Sequence, residues 1–126
     1  MTKYNTNIKS FDDCVSYIFA KLYKNHPKKM TFMTDEAGEQ IESIKSDLFL
    51  PTLDFLISEE FLSGNRWYGG YTDVMLTMKG LNALNKVPKS IEENITLGKK
   101  LIELVRNGSF DIAKSLVVEI IKGSIS

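Results

Sequence analysis

The sequence has little that would tie it to a specialised class. Its single cysteine, Cys14, cannot form an internal disulfide, which points to a reducing compartment. Only 3 prolines and 8 glycines are present, too few for a collagen-like or low-complexity chain. No apolar run approaches the roughly 18 residues of a membrane span. The opening residues Met1-Thr2-Lys3-Tyr4-Asn5 lack the apolar core of a signal peptide, so a cytoplasmic location is expected. Nor is there an excess of one charge: 16 Lys and Arg balance 16 Asp and Glu, so the molecule as a whole is no electrostatic sponge for nucleic acid.

Catalytic chemistry is equally scarce. The one histidine, His26, and Cys14 fall in or just after the same helical segment, and Cys14 sits on its apolar side, as a core residue would. No metal-ligand spacing occurs, and no glycine-rich loop opens a helix. The pairs Asp12-Asp13 and Glu92-Glu93 read as helix N-terminal charges rather than acid/base pairs. No catalytic residue, metal or cofactor is expected, and the protein reads as a non-enzyme.

What is present is a chain of 126 residues, 43% hydrophobic, with clear periodicity. Phe11, Cys14 or Val15, Ile18 and Leu22 recur at helical spacing, with Ser10 as candidate N-cap and Pro27 as stop. Lys28 to Met33 reads as an extended connector. Thr34 then caps a second helix carrying Ala37, Ile41 and Ile44. A third helix buries Leu53, Leu56 and Ile57. It starts either at Pro51, where the missing N–H costs nothing, or at Ser46 or Asp47, in which case Pro51 should kink it.

After Phe61 the period changes. Two strand-like runs, 62–68 and 71–77, flank Gly69-Gly70, a hairpin signal. Thr77 caps a fourth helix, Met78 to Lys86, with Leu81 and Leu84 inward and Pro88 as its stop. Residues 89–126 read as a helical hairpin. Ile91, Ile95, Gly98, Leu101, Ile102 and Val105 form one stripe. Asn107-Gly108 stops it, and Ser109 caps a last helix with Phe110, Ala113, Leu116, Val117, Ile120 and Ile121 on one side, followed by Gly123.

The order helix, helix, helix, hairpin, helix is carried by Leu53-x-x-Leu56-x-x-x-Glu60-Phe61-Leu62, the Gly69-Gly70 turn, and Val74-x-Leu76-Thr77-x-Lys79-Gly80-Leu81-x-x-Leu84. Over roughly residues 10–88 this resembles the winged helix-turn-helix domain of MarR-like and PadR-like regulators, most specifically in Leu76-Thr77-x-Lys79-Gly80. The resemblance implies an α+β, mainly α fold. Residues 1–88 would form the winged domain, with a two-stranded wing, and 89–126 a C-terminal helical hairpin. It further implies a third helix that enters the DNA major groove and a hairpin that touches minor groove or backbone. Regulators of this kind often dimerise through added terminal helices, which would make Leu101, Val105, Leu116 and Ile120 candidate dimer contacts.

The charges depart from that pattern where DNA binding depends on them. Residues 1–34 carry a net +4, residues 35–63 a net −7, residues 64–91 a net +3, and the rest are neutral. DNA affinity comes from Lys and Arg on phosphates, and specificity mostly from Arg, Lys, Asn or Gln on base edges. None of those four residue types occurs between Ser46 and Glu60. Thr52 and Ser58 are the candidate phosphate contacts there, and two hydroxyls do not offset that many carboxylates.

The acidic segment, with Glu39, Glu42, Asp47, Asp54 and Glu59, is therefore either a solvated face or a docking surface for a basic or mixed protein partner. Arg66, Trp67, Tyr68 and Tyr71 lie around the hairpin tip, either packed back on the domain or exposed as interface anchors. Lys21, Lys24, Lys28 and Lys29 cluster at the end of the first helix. They suit a helix C-terminus and are the remaining candidates for phosphate contact. The leading expectation is a protein-interaction module, of which an immunity or anti-repressor protein is a special case. The alternative is a dimeric DNA-binding transcriptional regulator. The last helix carries too few cations for a membrane-surface role.

Overall fold

The fold is known from a computed structural model that describes residues 6–33, 46–87 and 95–125. Five helices and one three-stranded antiparallel sheet account for most of them: α1 (Thr6–Asn25), β1 (Met30–Met33), α2 (Ser46–Ser58), β2 (Leu62–Trp67), β3 (Gly70–Leu76), α3 (Met78–Leu84), α4 (Leu97–Arg106) and α5 (Phe110–Ile125). The class is α+β and mainly helical. The expected second helix, with Thr34, Ala37, Ile41 and Ile44, lies outside the described residues. So do Pro88, Glu92, Glu93 and the boundary drawn after residue 88.

The central element is α1. Cys14, Val15, Ile18, Phe19 and Leu22 are buried, and so are the polar Ser10, Asp12, Asp13 and Ser16. Two expectations fail here. The helix begins at Thr6, so Ser10 lies inside it and is not its cap. Asp12 and Asp13 are buried in its body and not first-turn surface charges. The reason is position: α1 packs against α2, β3, α4 and α5 at once, so even its polar side is covered. Ser16 meets that demand locally by donating to the Asp12 carbonyl at 2.9 Å.

The stretch expected as a connector forms β1 over Met30–Met33. It pairs antiparallel with β3 (Met30 opposite Val74, Phe32 opposite Tyr71, Met33 opposite Gly70), giving the sheet order β1-β3-β2 and making three strands where two were expected. The hairpin turn falls on Tyr68-Gly69, one residue earlier than expected, and Gly70 opens β3. Gly70 has φ 146, and a Cβ there would lie 2.0 Å from the Phe32 carbonyl oxygen. The close approach of β1 therefore requires glycine at this position.

Helix α2 starts at Ser46 and holds Pro51 inside it, the second of the two starts considered. Its end is a Schellman closure: the Glu60 N–H donates to the Ile57 carbonyl at 3.0 Å, and the Phe61 N–H to the Leu56 carbonyl at 3.0 Å. That closure needs a left-handed residue, and Glu60 supplies it with φ 68. Leu56 and Phe61, the apolar pair of the motif, are both fully buried.

The C-terminal hairpin packs on its own chain. Thr96 caps α4 by accepting from the Lys99 N–H at 3.1 Å, so Ile95 precedes the helix and does not belong to its stripe. Tyr23 of α1 donates to Asn85 at 2.6 Å and meets the Thr96 hydroxyl at 3.0 Å, tying α1, the end of α3 and the start of α4 together. Leu97, Leu101 and Leu104 of α4 and Ala113, Val117 and Ile120 of α5 join the same core as α1, α2 and the sheet. Leu101 and Ile120 are buried inside one chain, and Val105 and Leu116 pack half-buried on that core. Leu101 and Ile120 are thus covered within one chain, whereas Val105 and Leu116 keep part of their surface exposed. A second Schellman closure ends α4 with Gly108 at φ 74, and α5 continues past Gly123 to Ile125.

The two closures share one hydrogen-bond pattern but place different residues, Glu60 and Gly108, in the left-handed position. Glu60→Gly should raise stability by about 0.5–1 kcal/mol, because a Cβ is strained in that conformation. Gly108→Ala should lower it by about 1 kcal/mol, and only through the backbone, since nothing lies within 4 Å of its added Cβ. Urea denaturation of the two variants checks both signs.

Candidate protein-interaction surface

The candidate surface is built from α2 and the β2–β3 hairpin. Along α2, Phe49, Thr52, Leu53 and Leu56 face the core, while Pro51, Asp54, Phe55 and Ser58, spaced three and four apart, face outward. Thr52 is buried, and its hydroxyl donates to the Leu48 carbonyl at 2.7 Å. It therefore cannot contact a phosphate. Ser58 is exposed, and its hydroxyl is directed at the Phe55 carbonyl at 2.9 Å.

Phe55 is the surface aromatic that the sequence reading missed. It is 38% exposed and meets Phe11 edge-to-face at a centroid distance of 5.4 Å. Its signal was present in the sequence: an aromatic that sits off the Leu53, Leu56 and Ile57 stripe and so belongs to the outer side.

Asp54 ties this helix to the hairpin. Tyr71 donates its phenol proton to an Asp54 carboxylate oxygen, and the Arg66 Nε lies 3.8 Å from the same oxygen. The Arg66 guanidinium also sits 5.7 Å from the Tyr71 ring centroid. Asp54 and Arg66 are about half exposed, at 51% and 45%, so the ion pair is solvent-screened and adds little stability by itself. Tyr71 is buried, and its phenol is pushed up to about 12, first by burial and then by the Asp54 carboxylate; Arg66 opposes the shift.

The other hairpin aromatics divide between the two expected outcomes. Trp67 is half-buried, with its ring over Gly69, and its Nε1 has no hydrogen-bond partner among the described residues. Tyr68 stands 92% exposed at the turn and touches Trp67 edge-to-face at 5.1 Å.

The acidic residues are only partly gathered here. Glu39 and Glu42 lie outside the described residues, and Asp47 is placed by its backbone in the first turn of α2. Glu59 is half-buried at the helix end, where its carbonyl accepts from the Lys79 ammonium at 2.7 Å. The basic residues are elsewhere: Lys24, Lys28 and Lys29 are exposed at or beyond the end of α1. Lys21 lies over the Phe32 and Tyr17 rings at 5.2 and 5.6 Å.

Burial pushes the Cys14 thiol up to about 12 despite the Thr52 hydroxyl beside it, so it is no nucleophile at neutral pH. His26 follows Cys14 by three turns along the chain, about 18 Å of helix, too far for a thiol–imidazole pair. Among the described residues no cluster of His, Cys, Asp or Glu could hold a metal ion, and no helix is long and apolar enough to cross a membrane.

Two measurements follow from these shifts. Cys14 should react with an aromatic disulfide reagent only as fast as the protein unfolds, and at once in denaturant. The Tyr71 value is raised on folding, so its contribution to stability is intact below pH 10.0 and is lost as pH climbs through about 12. Tyr71→Phe should therefore flatten the fall of stability over that window in denaturant titrations. It should not abolish the fall, because the Cys14 thiol loses stability over an overlapping range starting near 9.0. No family model matches the chain, and no curated protein or solved structure matches it significantly.

Proposed function

We propose that this chain is a winged helix-turn-helix domain that works as a non-enzymatic protein-interaction module, docking a basic or mixed partner through the outer face of α2 and the adjoining hairpin. The topology supports the scaffold. A helix and a short strand precede a second helix and a β-hairpin, and the sheet order β1-β3-β2 places the first strand beside the last. In such a scaffold the helix before the hairpin is the one offered to a ligand.

One observation carries the functional reading. The offered face consists of Pro51, Asp54, Phe55 and Ser58, an apolar and acidic mixture with no cation. The nearest cation, Arg66 of the hairpin, is already matched to Asp54, so a phosphate backbone finds no unmatched positive charge on this face. A half-exposed aromatic beside a carboxylate is instead how protein partners are anchored and selected. Tyr68 at the hairpin turn adds a second aromatic to the same neighbourhood of the chain, and Arg66 extends the surface with a charge already matched to Asp54.

The test is a pull-down with the purified chain, identification of the captured protein, and repetition with Phe55→Ser combined with Ser58→Lys, both exposed positions. The expected result is a partner with a basic contact face whose capture falls about tenfold or more in the variant, the loss expected when an anchor residue is removed. Tight, salt-dependent binding to duplex DNA that the same variant alters would overturn the reading and restore the regulator as the better account.

A further inference from the structure

A second surface of opposite character lies between the N-terminal helix and the C-terminal hairpin. Helices α1 and α4 pack side by side, and between them runs an open groove of about 640 Å³. Its apolar lining comes from Tyr17 and Ala20 of α1 and Ile102 and Val105 of α4. The small Ala20 one turn after Tyr17 gives the groove its depth. Among the described residues its charged lining is positive: Lys21, Lys24 and Arg106.

The macrodipole accounts for a cation in the last turn of α1 and of α4, where Lys24 and Arg106 stand. It does not account for their flanking one apolar trough, nor for the Lys21 ammonium held over two aromatic rings at its side. The last sits 3.4 Å from the Tyr17 hydroxyl, which fixes the charge in place.

We infer that this groove is the docking site for an acidic amphipathic helix of a protein partner. An apolar stripe at three- and four-residue spacing would fill the trough, and carboxylates on the flanks of the same helix would meet Lys24 and Arg106. Charge selects an anionic occupant, and the apolar lining distinguishes among anions. Phosphates of a nucleic acid gain nothing from Ile102 and Val105. A bilayer surface, flat on this scale, reaches the exposed cations and not the trough between them. The site is separate from the outer face of α2 and stands whether or not that surface binds a basic partner.

The experiment is fluorescence anisotropy at low salt with three labelled peptides. One is a helical peptide with a leucine stripe flanked by glutamates, the second has the same composition scrambled, and the third replaces glutamate by glutamine. The striped acidic peptide should bind about tenfold or more tightly than either control, and Lys24→Glu combined with Arg106→Glu should weaken it by a similar factor. Both variant positions are exposed, so the fold is expected to survive, and circular dichroism verifies it. A striped peptide with lysine flanks should then bind the double variant and not the parent chain.

Equal affinity for the striped and scrambled peptides overturns the inference, since it would mean charge attraction alone. So does indifference to the double reversal. Binding of duplex DNA or of vesicles rich in phosphatidylserine, lost in the double variant while the striped peptide fails to bind, also overturns it. Because no arm uses the α2 face, failure here leaves the proposed interaction surface untouched, and the converse holds.

Discussion

The placement of α2 depends on one backbone carbonyl, that of Phe61. It accepts from the Thr77 N–H at 3.0 Å and from the Thr77 hydroxyl at 3.1 Å, and a Cβ on residue 80 would come within 2.3 Å of it. Around the same point Lys79 lays its ammonium 4.6 Å from the Phe61 ring centroid and donates to the Glu59 carbonyl. The run Leu76-Thr77-x-Lys79-Gly80 is thus a clasp as well as a helix start. Thr77 caps α3 by accepting from the Gly80 N–H and at the same time binds the end of α2. The carbonyls of Glu59, Glu60 and Phe61 leaving α2 and the Gly80 N–H opening α3 are all satisfied here, so the arrangement is stabilised from both sides.

The clasp explains why a strained residue is kept at position 60. With the Phe61 carbonyl fixed by Thr77, the chain leaving α2 has to turn sharply, and the Schellman geometry forces the intervening residue to positive φ. Glutamate accepts that cost while contributing charge to the acid-rich segment, and its own carbonyl takes a bond from Thr77. A residue held in an unfavourable backbone region where a better one is available marks a position at which the surroundings override local preference.

What the sequence revealed divides by distance along the chain. The hairpin, the Thr77 cap and the Asn107-Gly108 stop are local, fixed by residues a few positions apart, and all were legible. Strand β1 was not, because its partner in β3 lies some forty residues away and four residues are too short a run for their alternation to stand out. The caps and charges of α1 were misread for a related reason. Amphipathic logic assumes one wet face, and α1 is surrounded, so Ser10, Asp12 and Asp13 are inside. The stripes of α4 and α5 were plain, but a stripe does not say what it packs against, and Leu101 and Ile120 turned out to face their own chain. At the candidate site the absence of cations on α2 was readable residue by residue. The Asp54–Tyr71 bond, seventeen residues apart, was not.

A net charge of zero conceals a division of labour along this chain. Charges that neutralise one another locally, as Arg66 and Asp54 do, leave a surface governed by shape and apolar contact. Charges sorted onto different elements leave two fields of opposite sign, each of short reach at cellular ionic strength. The acids are densest in α2 and the sequence before it, a net −7 over residues 35–63, and the cations densest over residues 1–34, a net +4. Because α1 forms the centre of the core and reaches both regions, a partner seated on either side rests on the same rigid helix. Two surfaces sharing one rigid support can be occupied together without either having to deform the other.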